Sequence, residues 1–344
     1  MSGYIITQGV DLHKRYFVYN SLDRREGEEK EGKVYLNDRE GMKRYFSQFD
    51  VSSEVAVEAS GSWYWFVDML QKNGVKVHLS NPKQTKAIAW AKVKNDKVDA
   101  RMLRKLLESN LLPECWIPEK EARDLREIIR YRMKLVSIRS QLKNMIHSYL
   151  SKQNVIPEWR NIWQGKGKEW LEEIVLDYPH QEMKSYCLKI IDVLDGIIRI
   201  YDEKLKESEY KPEGLDLVLT LPNTGYTRAL TIVLETGPIE MFKSAKGYVS
   251  CCGLAPRTRE SGGKIRQGGL SKEARLPLKY TYIEIANGRG KLDELLEGYY
   301  ERIKRRKGKS IAKISLARKI AKGVYHMLKK KITFQEYERV YLVR

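Results

Sequence analysis

The chain has 344 residues, 42% of them hydrophobic, with 64 lysines and arginines against 45 acids and a net charge of +19. Length and apolar content suffice for two or three domains with buried cores and exclude broad disorder. The positive excess points to a polyanionic partner, DNA or RNA first. No apolar run approaches the ~20 residues of a membrane span, so no membrane role is expected.

Residues 4–112 read as α/β. Strands are expected over Tyr4–Val10, Tyr16–Asn20 and, after a charged hairpin Asp23–Glu31, Lys33–Leu36. A helix over Gly41–Phe49, a strand over Glu54–Glu58, a helix over Trp63–Asn73 and a strand over Val75–Leu79 follow, closed by Asn81-Pro82. A further helix is expected from Asp96 to Ser109. Three early strands and then alternating helix and strand is the order of a ribonuclease-H-like sheet, although the pattern alone fits other α/β domains too.

Pro113 and Pro118 mark a change of regime. From Glu119 to Gln153 the chain is charged and helical, with Leu125, Ile128, Arg132, Leu135, Ile138, Leu142, Met145 and Tyr149 at three- and four-residue steps. After an interruption holding Trp159, Trp163, Gly165 and Gly167, a second stripe carries Leu188, Ile191, Leu194, Ile198, Tyr201 and Leu205. Such stripes make a helical hairpin or coiled coil, or helices packed on their own domain. Leu219-Thr220-Leu221-Pro222-Asn223-Thr224-Gly225, ahead of a helix over Tyr226–Glu235, has the shape of a helix-hairpin-helix, whose turn amides can hold a phosphate. A Gly-rich basic stretch spans 253–269, and residues 300–331 hold 13 Lys or Arg and one acid, Glu301. The expected division is 1–112, 113–212 and 213–344. Tyr280, Tyr282, Tyr299, Tyr300 and Tyr325, among these basic residues, are either core or surfaces for bases to stack on.

Four acids sit awkwardly. Asp11 and Glu58 each end an apolar run, and Asp96 and Asp99 open one helix three residues apart, on one face. Acids at buried strand ends need a cation. Mg²⁺ takes hard oxygen ligands and keeps sites for water and phosphate. Two such ions can serve both the attacking and the leaving oxygen of a phosphodiester. A plainer alternative makes Asp96 the helix N-cap and Asp99 a partner of the helix dipole. The cysteines Cys115, Cys187, Cys251 and Cys252 form no C-x-x-C pair, so no zinc site is expected; reduced thiols in a cytoplasm fit better. Met1-Ser2-Gly3-Tyr4 lacks the basic-then-apolar order of a secretory leader.

Gly9-Val10-Asp11-Leu12-His13-Lys14, Val57-Glu58-Ala59-Ser60-Gly61, Asn81-Pro82 and Lys94-Asn95-Asp96-Lys97-Val98-Asp99-Ala100 together resemble the DEDD transposases of the insertion-sequence-110 family, relatives of the Piv-type DNA invertases. Gly253-Leu254-Ala255-Pro256-Arg257, Glu260-Ser261-Gly262-Gly263-Lys264 and Leu270-Ser271-Lys272 resemble that family's second signature. The resemblance spans nearly the whole chain.

It implies a RuvC-like domain whose tetrad Asp11, Glu58, Asp96 and Asp99 binds Mg²⁺ or Mn²⁺, a central coiled-coil dimerisation segment, and a mainly helical C-terminal transposase domain. Ser261 would be the nucleophile that forms a phosphoserine link to DNA. Arg257, Arg259, Lys264, Arg266 and Lys272 would meet phosphates. Implied partners are donor and target DNA, a structured guide (bridge) RNA, and further copies of the chain, a dimer assembling to a tetramer with active sites completed between protomers. The setting would be a prokaryotic cytoplasm, at the nucleoid. Two departures stand out. Pro222-Asn223-Thr224-Gly225 replaces the family's Pro-Gly-Ile-Gly turn, and Ala274 and Leu278-Lys279 stand where a Gly and a Leu-Arg are common. The rival reading is a RuvC-type metal-dependent nuclease without serine chemistry. An actin-like ATPase would need a second Gly-rich phosphate loop, which is not found, and a non-catalytic nucleic-acid binder would have no use for the intact acids and serine.

Overall fold

A computed structural model describes residues 5–88, 95–261, 264–271, 274–288 and 292–342. The chain divides into two compact units, one ending at Ile117 and the other beginning at Pro118.

The first unit is a mixed sheet with helices. Its elements are β1 (Ile6–Leu12), β2 (Tyr16–Asp23), β3 (Glu28–Tyr35), α1 (Arg39–Ser47), β4 (Ser53–Glu58), α2 (Trp63–Lys72), β5 (Lys76–Ser80), α3 (Pro82–Ile88), α4 (Asp96–Glu108) and β6 (Glu114–Cys115). Strand order is β3-β2-β1-β4-β5-β6. β1, β2 and β3 pair antiparallel, while β4 joins β1, and β5 joins β4, in parallel. This is the ribonuclease-H-like arrangement expected from the element order. One core holds Val10, Phe17, Val55, Val57 and, from α1 and α2, Phe46, Phe66 and Leu70. A smaller one sets Ala56 against Leu103 and Leu107 of α4.

Three details differ from expectation. The third strand begins earlier than Lys33: Asp23–Glu31 is the hairpin expected, but Glu28–Glu31 already belong to β3, an edge strand whose charges oppose pairing with another chain. Helix α3 was not expected; Pro82 starts it, and Asn81 Oδ1 accepts from the Lys83 N–H at 3.1 Å. The Gly-rich basic stretch forms a hairpin of two strands, described below.

Helix α4 is seated by a glycine. A Cβ on Gly9 of β1 would lie 2.1 Å from the Ala100 carbonyl oxygen and 2.4 Å from the Arg104 nitrogen. Only a residue without a side chain lets helix backbone rest on strand backbone there. Buried Arg104 fixes the far side, donating from Nε to Asn20 Oδ1 at 2.6 Å and pairing with Glu108 and Glu29. Lys97 and Arg101 reach Glu31 of β3 at 2.6 and 3.2 Å.

The second unit is helical apart from one hairpin. It comprises α5 (Lys120–Lys152), α6 (Gly165–Glu173), α7 (His180–Glu207), α8 (Leu215–Leu219), α9 (Tyr226–Thr236), α10 (Ala245–Cys251), β7 (Pro256–Ser261), β8 (Lys264–Leu270), α11 (Leu276–Asn287), α12 (Glu294–Lys307), α13 (Lys309–Lys330) and α14 (Phe334–Tyr341). α5 and α7 pack antiparallel: Arg132 meets Asp202 at 2.7 Å, Arg139 meets Asp195, and Leu135 packs with Leu194 and Ile198. Their seam runs through Ile146 rather than the expected Met145, which is exposed. Between α8 and α9, Asn223 takes the left-handed conformation (φ 57°) and donates from Nδ2 to the Ile285 carbonyl at 2.8 Å. Asn can hold that backbone where most residues cannot.

Buried Glu235 on α9 takes Arg126 and Arg130 as partners at 3.2 and 2.8 Å. Burial pushes its pKa up, but the two guanidiniums outweigh burial and hold it below the ordinary carboxylate range. A depressed carboxyl stabilises the fold above its unfolded value, and that stability is lost as pH falls through the folded value. Glu235→Gln is therefore expected to cost about 3 kcal/mol at neutral pH, with the difference from wild type shrinking in acid; urea unfolding at several pH values measures it. Gly9→Ala is expected to cost about 3 kcal/mol by the same assay, since backbone rather than a flexible side chain must give way.

Candidate metal centre

Asp11 is the penultimate residue of β1, opposite Val18, and is buried. The seating of α4 on Gly9 carries the first turn of that helix to the same end of β1. There Asn95, not Asp96, is the N-cap: its Oδ1 accepts from the Val98 N–H at 2.8 Å. This overturns the capping alternative for Asp96. The Asp96 carboxylate instead accepts from the Tyr16 hydroxyl at 2.9 Å.

His13, just past β1, joins the acids. Its Nε2 lies 3.0 Å from Asp11 Oδ2 and 3.3 Å from Asp96 Oδ2. Asp11, His13 and Asp96 each offer a ligand atom within 4.8 Å of the others. Glu58, at the end of β4 opposite Ser80, and Asp99, one turn along α4, act on Asp11 through their charge. Burial, the largest cause, raises the Asp11 carboxyl above its usual range; His13 lowers it, and Asp99, Glu58 and Asp96 each raise it further.

A divalent cation fits these residues. Several acids crowd a buried carboxylate, and His13 Nε2 is buried without a well-directed hydrogen bond although two carboxylate oxygens lie near it. A cation would relieve both. Oxygen ligands suit Mg²⁺, while an imidazole nitrogen among them suits Mn²⁺ and later metals better. His13 was not singled out from sequence, though it stands in the quoted motif two residues after Asp11. Tyr16 and Asn95 were missed as well, because their roles need strand and helix to meet.

Beside Tyr16 lies a recess of about 670 Å³ lined by Lys14, Arg15, Tyr16, Lys33, Tyr35, Leu36 and Asn37. The Lys33 ammonium sits 3.5 Å from the centre of the Tyr16 ring.

The remaining candidates belong to the second unit. β7 and β8 pair antiparallel with Ser261 opposite Lys264, so Ser261 ends its strand. Arg257 is exposed near the start of β7. For Arg259, Ser261, Lys264 and Arg266 only the backbone is described, and Lys272 lies outside the described residues. Of the tyrosines, Tyr282, Tyr300 and Tyr325 are core residues and offer no stacking surface, whereas Tyr280 is exposed.

Two family models match the chain. DEDD_Tnp_IS110, described as a transposase, matches residues 8–154, and a model described as the transposase IS116/IS110/IS902 family matches residues 215–301. The chain is 25% identical over 345 residues to the transposase for insertion sequence element IS1111A of Coxiella burnetii, covering 95% of this chain and 90% of that one. It is 23% identical to a probable family 20 transposase of Pseudomonas aeruginosa, covering 95% and 98%. It is 21% identical to the transposase for insertion sequence element IS1328 of Yersinia enterocolitica, covering 81% and 82%.

The geometry makes Tyr16 a positioning residue for Asp96. Tyr16→Phe is expected to weaken Mn²⁺ binding about tenfold and Asp11→Asn to abolish it, as read by isothermal calorimetry.

Proposed function

Because this chain belongs to the IS116/IS110/IS902 family of transposases, we propose that it cleaves and rejoins DNA strands during insertion-sequence transposition through a metal-binding acid cluster and a serine nucleophile. The observation that carries the metal half is the meeting of Asp11, His13 and Asp96, with Asn95 relieving Asp96 of capping. Asp11, Glu58, Asp96 and Asp99 would hold the ion, Mg²⁺ or Mn²⁺, with His13 beside them. When bound, a divalent cation supplies positive charge to the attacking and leaving oxygens of a phosphodiester.

The serine half rests on the resemblance around Ser261. Ser261 Oγ attacks the scissile phosphorus and gives its proton to a base. The bond from phosphorus to the leaving sugar oxygen breaks, and that oxygen is protonated. The phosphoserine ester keeps one phosphate ester bond in place of another. A sugar hydroxyl of the second strand then attacks the same phosphorus and returns the serine hydroxyl. Bonds made and broken match in kind, so rejoining needs no ATP. Arg257, Arg259, Lys264, Arg266 and Lys272 would neutralise phosphates.

The same reading includes a structured guide RNA beside donor and target DNA, supported by the net charge of +19 and the family resemblance. It includes α5 and α7 as a coiled-coil dimerisation segment, a dimer assembling to a tetramer, and the α8–turn–α9 segment as a helix-hairpin-helix-like phosphate contact. The place of action would be the nucleoid of a prokaryotic cytoplasm. No helix among the described residues is long and apolar enough to cross a membrane.

Ser261→Ala is expected to abolish both the covalent protein–DNA adduct and strand joining while leaving Mn²⁺ affinity unchanged. Adduct trapping on labelled element-end DNA followed by peptide mapping reads this. Strand joining that persists in Ser261→Ala would overturn the serine mechanism, and cleavage alone would favour a metal-dependent nuclease.

A further inference from the structure

One face of β3 changes character along its length. Glu29, Glu31, Lys33 and Tyr35 are alternate residues of the strand and share that face. Glu29 and Glu31 take Arg101 and Lys97 of α4 as partners. Lys33 and Tyr35 lie beyond them, level with the start of that helix. Tyr35 pairs across the ladder with Tyr16, whose hydroxyl donates to Asp96, the first residue of α4. Lys14 and Arg15, in the turn between β1 and β2, border the same recess. Among the described residues Lys14, Arg15 and Lys33 have no acid partner, and no acid lines the recess. Cations gathered from two elements around one concavity favour an anion there.

The recess offers more than charge. Its volume of about 670 Å³ lies within the range of about 300–1,000 Å³ usual for small-ligand sites. The Tyr16 and Tyr35 rings meet edge to face, with centres 6.0 Å apart. The Lys33 ammonium sits 3.5 Å from the centre of the Tyr16 ring and 5.0 Å from that of Tyr35. Lys33 thus covers Tyr16, while Tyr35 is 52% exposed and keeps a surface for a flat ligand. The Asn37 amide adds a donor and an acceptor. A free phosphate would use the cations and leave the ring and the amide idle. Negative charge, a stacking ring and a hydrogen-bonding edge together describe a nucleotide.

We propose that this recess holds one nucleotide of the DNA strand, the one adjoining the phosphate at the metal cluster, with its base on Tyr35 and its outer phosphate among Lys14, Arg15 and Lys33.

Tyr16 is the wall that the two sites share. Its ring lines the recess, its hydroxyl holds Asp96, and its ring centre lies 4.7 Å from that of His13. A strand leaving the cluster over Tyr16 enters the recess at its next nucleotide. A base that reaches Tyr35 has left its duplex stack, so the recess favours an unpaired strand beside the cleavage point. Stacking accepts any base, so Tyr35 supplies grip rather than sequence. The inference rests on the reading of the acid cluster as a site of DNA strand cleavage, and names how that site holds its substrate.

Isothermal calorimetry of the full chain, kept metal-free with EDTA, against thymidine 3′,5′-bisphosphate tests it. The probe is one nucleotide with a phosphate on each side, and it needs neither metal nor serine to bind. Wild type is expected to bind it roughly tenfold or more tighter than inorganic phosphate. Tyr35→Ala is expected to weaken binding roughly tenfold, and Tyr35→Phe to stay near wild type. Lys33→Glu reverses a charge and is expected to weaken binding by more than about tenfold. Lys33 and Tyr35 are exposed, so these variants keep the fold, which circular dichroism checks. Ser261→Ala is expected to bind the probe as wild type does. Binding no tighter than inorganic phosphate, or unchanged binding in Tyr35→Ala and Lys33→Glu, would overturn the proposal. Strand joining that fails while the probe binds would sink the proposed chemistry and leave the recess standing; strand joining without probe binding would do the reverse.

Discussion

The close approach of α4 to β1 at Gly9 is the contact on which the candidate site depends. Helix backbone touches strand backbone where any side chain would hold them apart. Asp11 lies two residues beyond Gly9 in one direction along the strand, and the helix start lies one turn from the contact in the other element. An acid pair at the head of a helix becomes a cluster with a strand acid only because the spacing between the two elements is set by a missing Cβ. A larger spacing would leave Asp96 and Asp99 as surface acids with an ordinary dipole role.

The electrostatics follow from that placement. Burying Asp11, and bringing Asp99, Glu58 and Asp96 near it, costs energy; burial first and the acids after it push the Asp11 carboxyl up. The fold offsets this with interactions elsewhere on α4. Arg104 is buried among Asn20, Glu29 and Glu108, and Lys97 and Arg101 grip the glutamates of β3. Glu29 and Glu31, at the charged start of β3, are thus the anchors of the helix that carries half of the cluster. A structure that holds like charges together in this way is arranged for a positive guest, and the donor set is one that a divalent ion accepts.

Much of the first unit was legible because its signals are local. Apolar runs marked β1, β4 and β5, and the spacing of Asp96 and Asp99 marked one helical face. What stayed hidden depends on partners distant in sequence. Nothing local says that Arg104 will be buried beside Asn20, or that Tyr16 will reach across to Asp96. His13 was passed over because a histidine after a strand is ordinary until a second element comes to meet it. Asn95 was passed over because its neighbour Asp96 is as good a cap by type, and only geometry separates them. In the second unit, the hairpin of β7 and β8 escaped because Arg257-Thr258-Arg259-Glu260 lacks an apolar alternation. The buried stripe of α7 was legible from its period.

The account centres on a cation held between β1 and the head of α4. Anomalous diffraction from crystals soaked in Mn²⁺ tests it most directly. The account predicts a manganese peak within about 2.3 Å of a carboxylate oxygen of Asp11 and of Asp96, lost in Asp11→Asn crystals. Manganese bound elsewhere, with none at Asp11 in protein that still joins DNA strands, would contradict it.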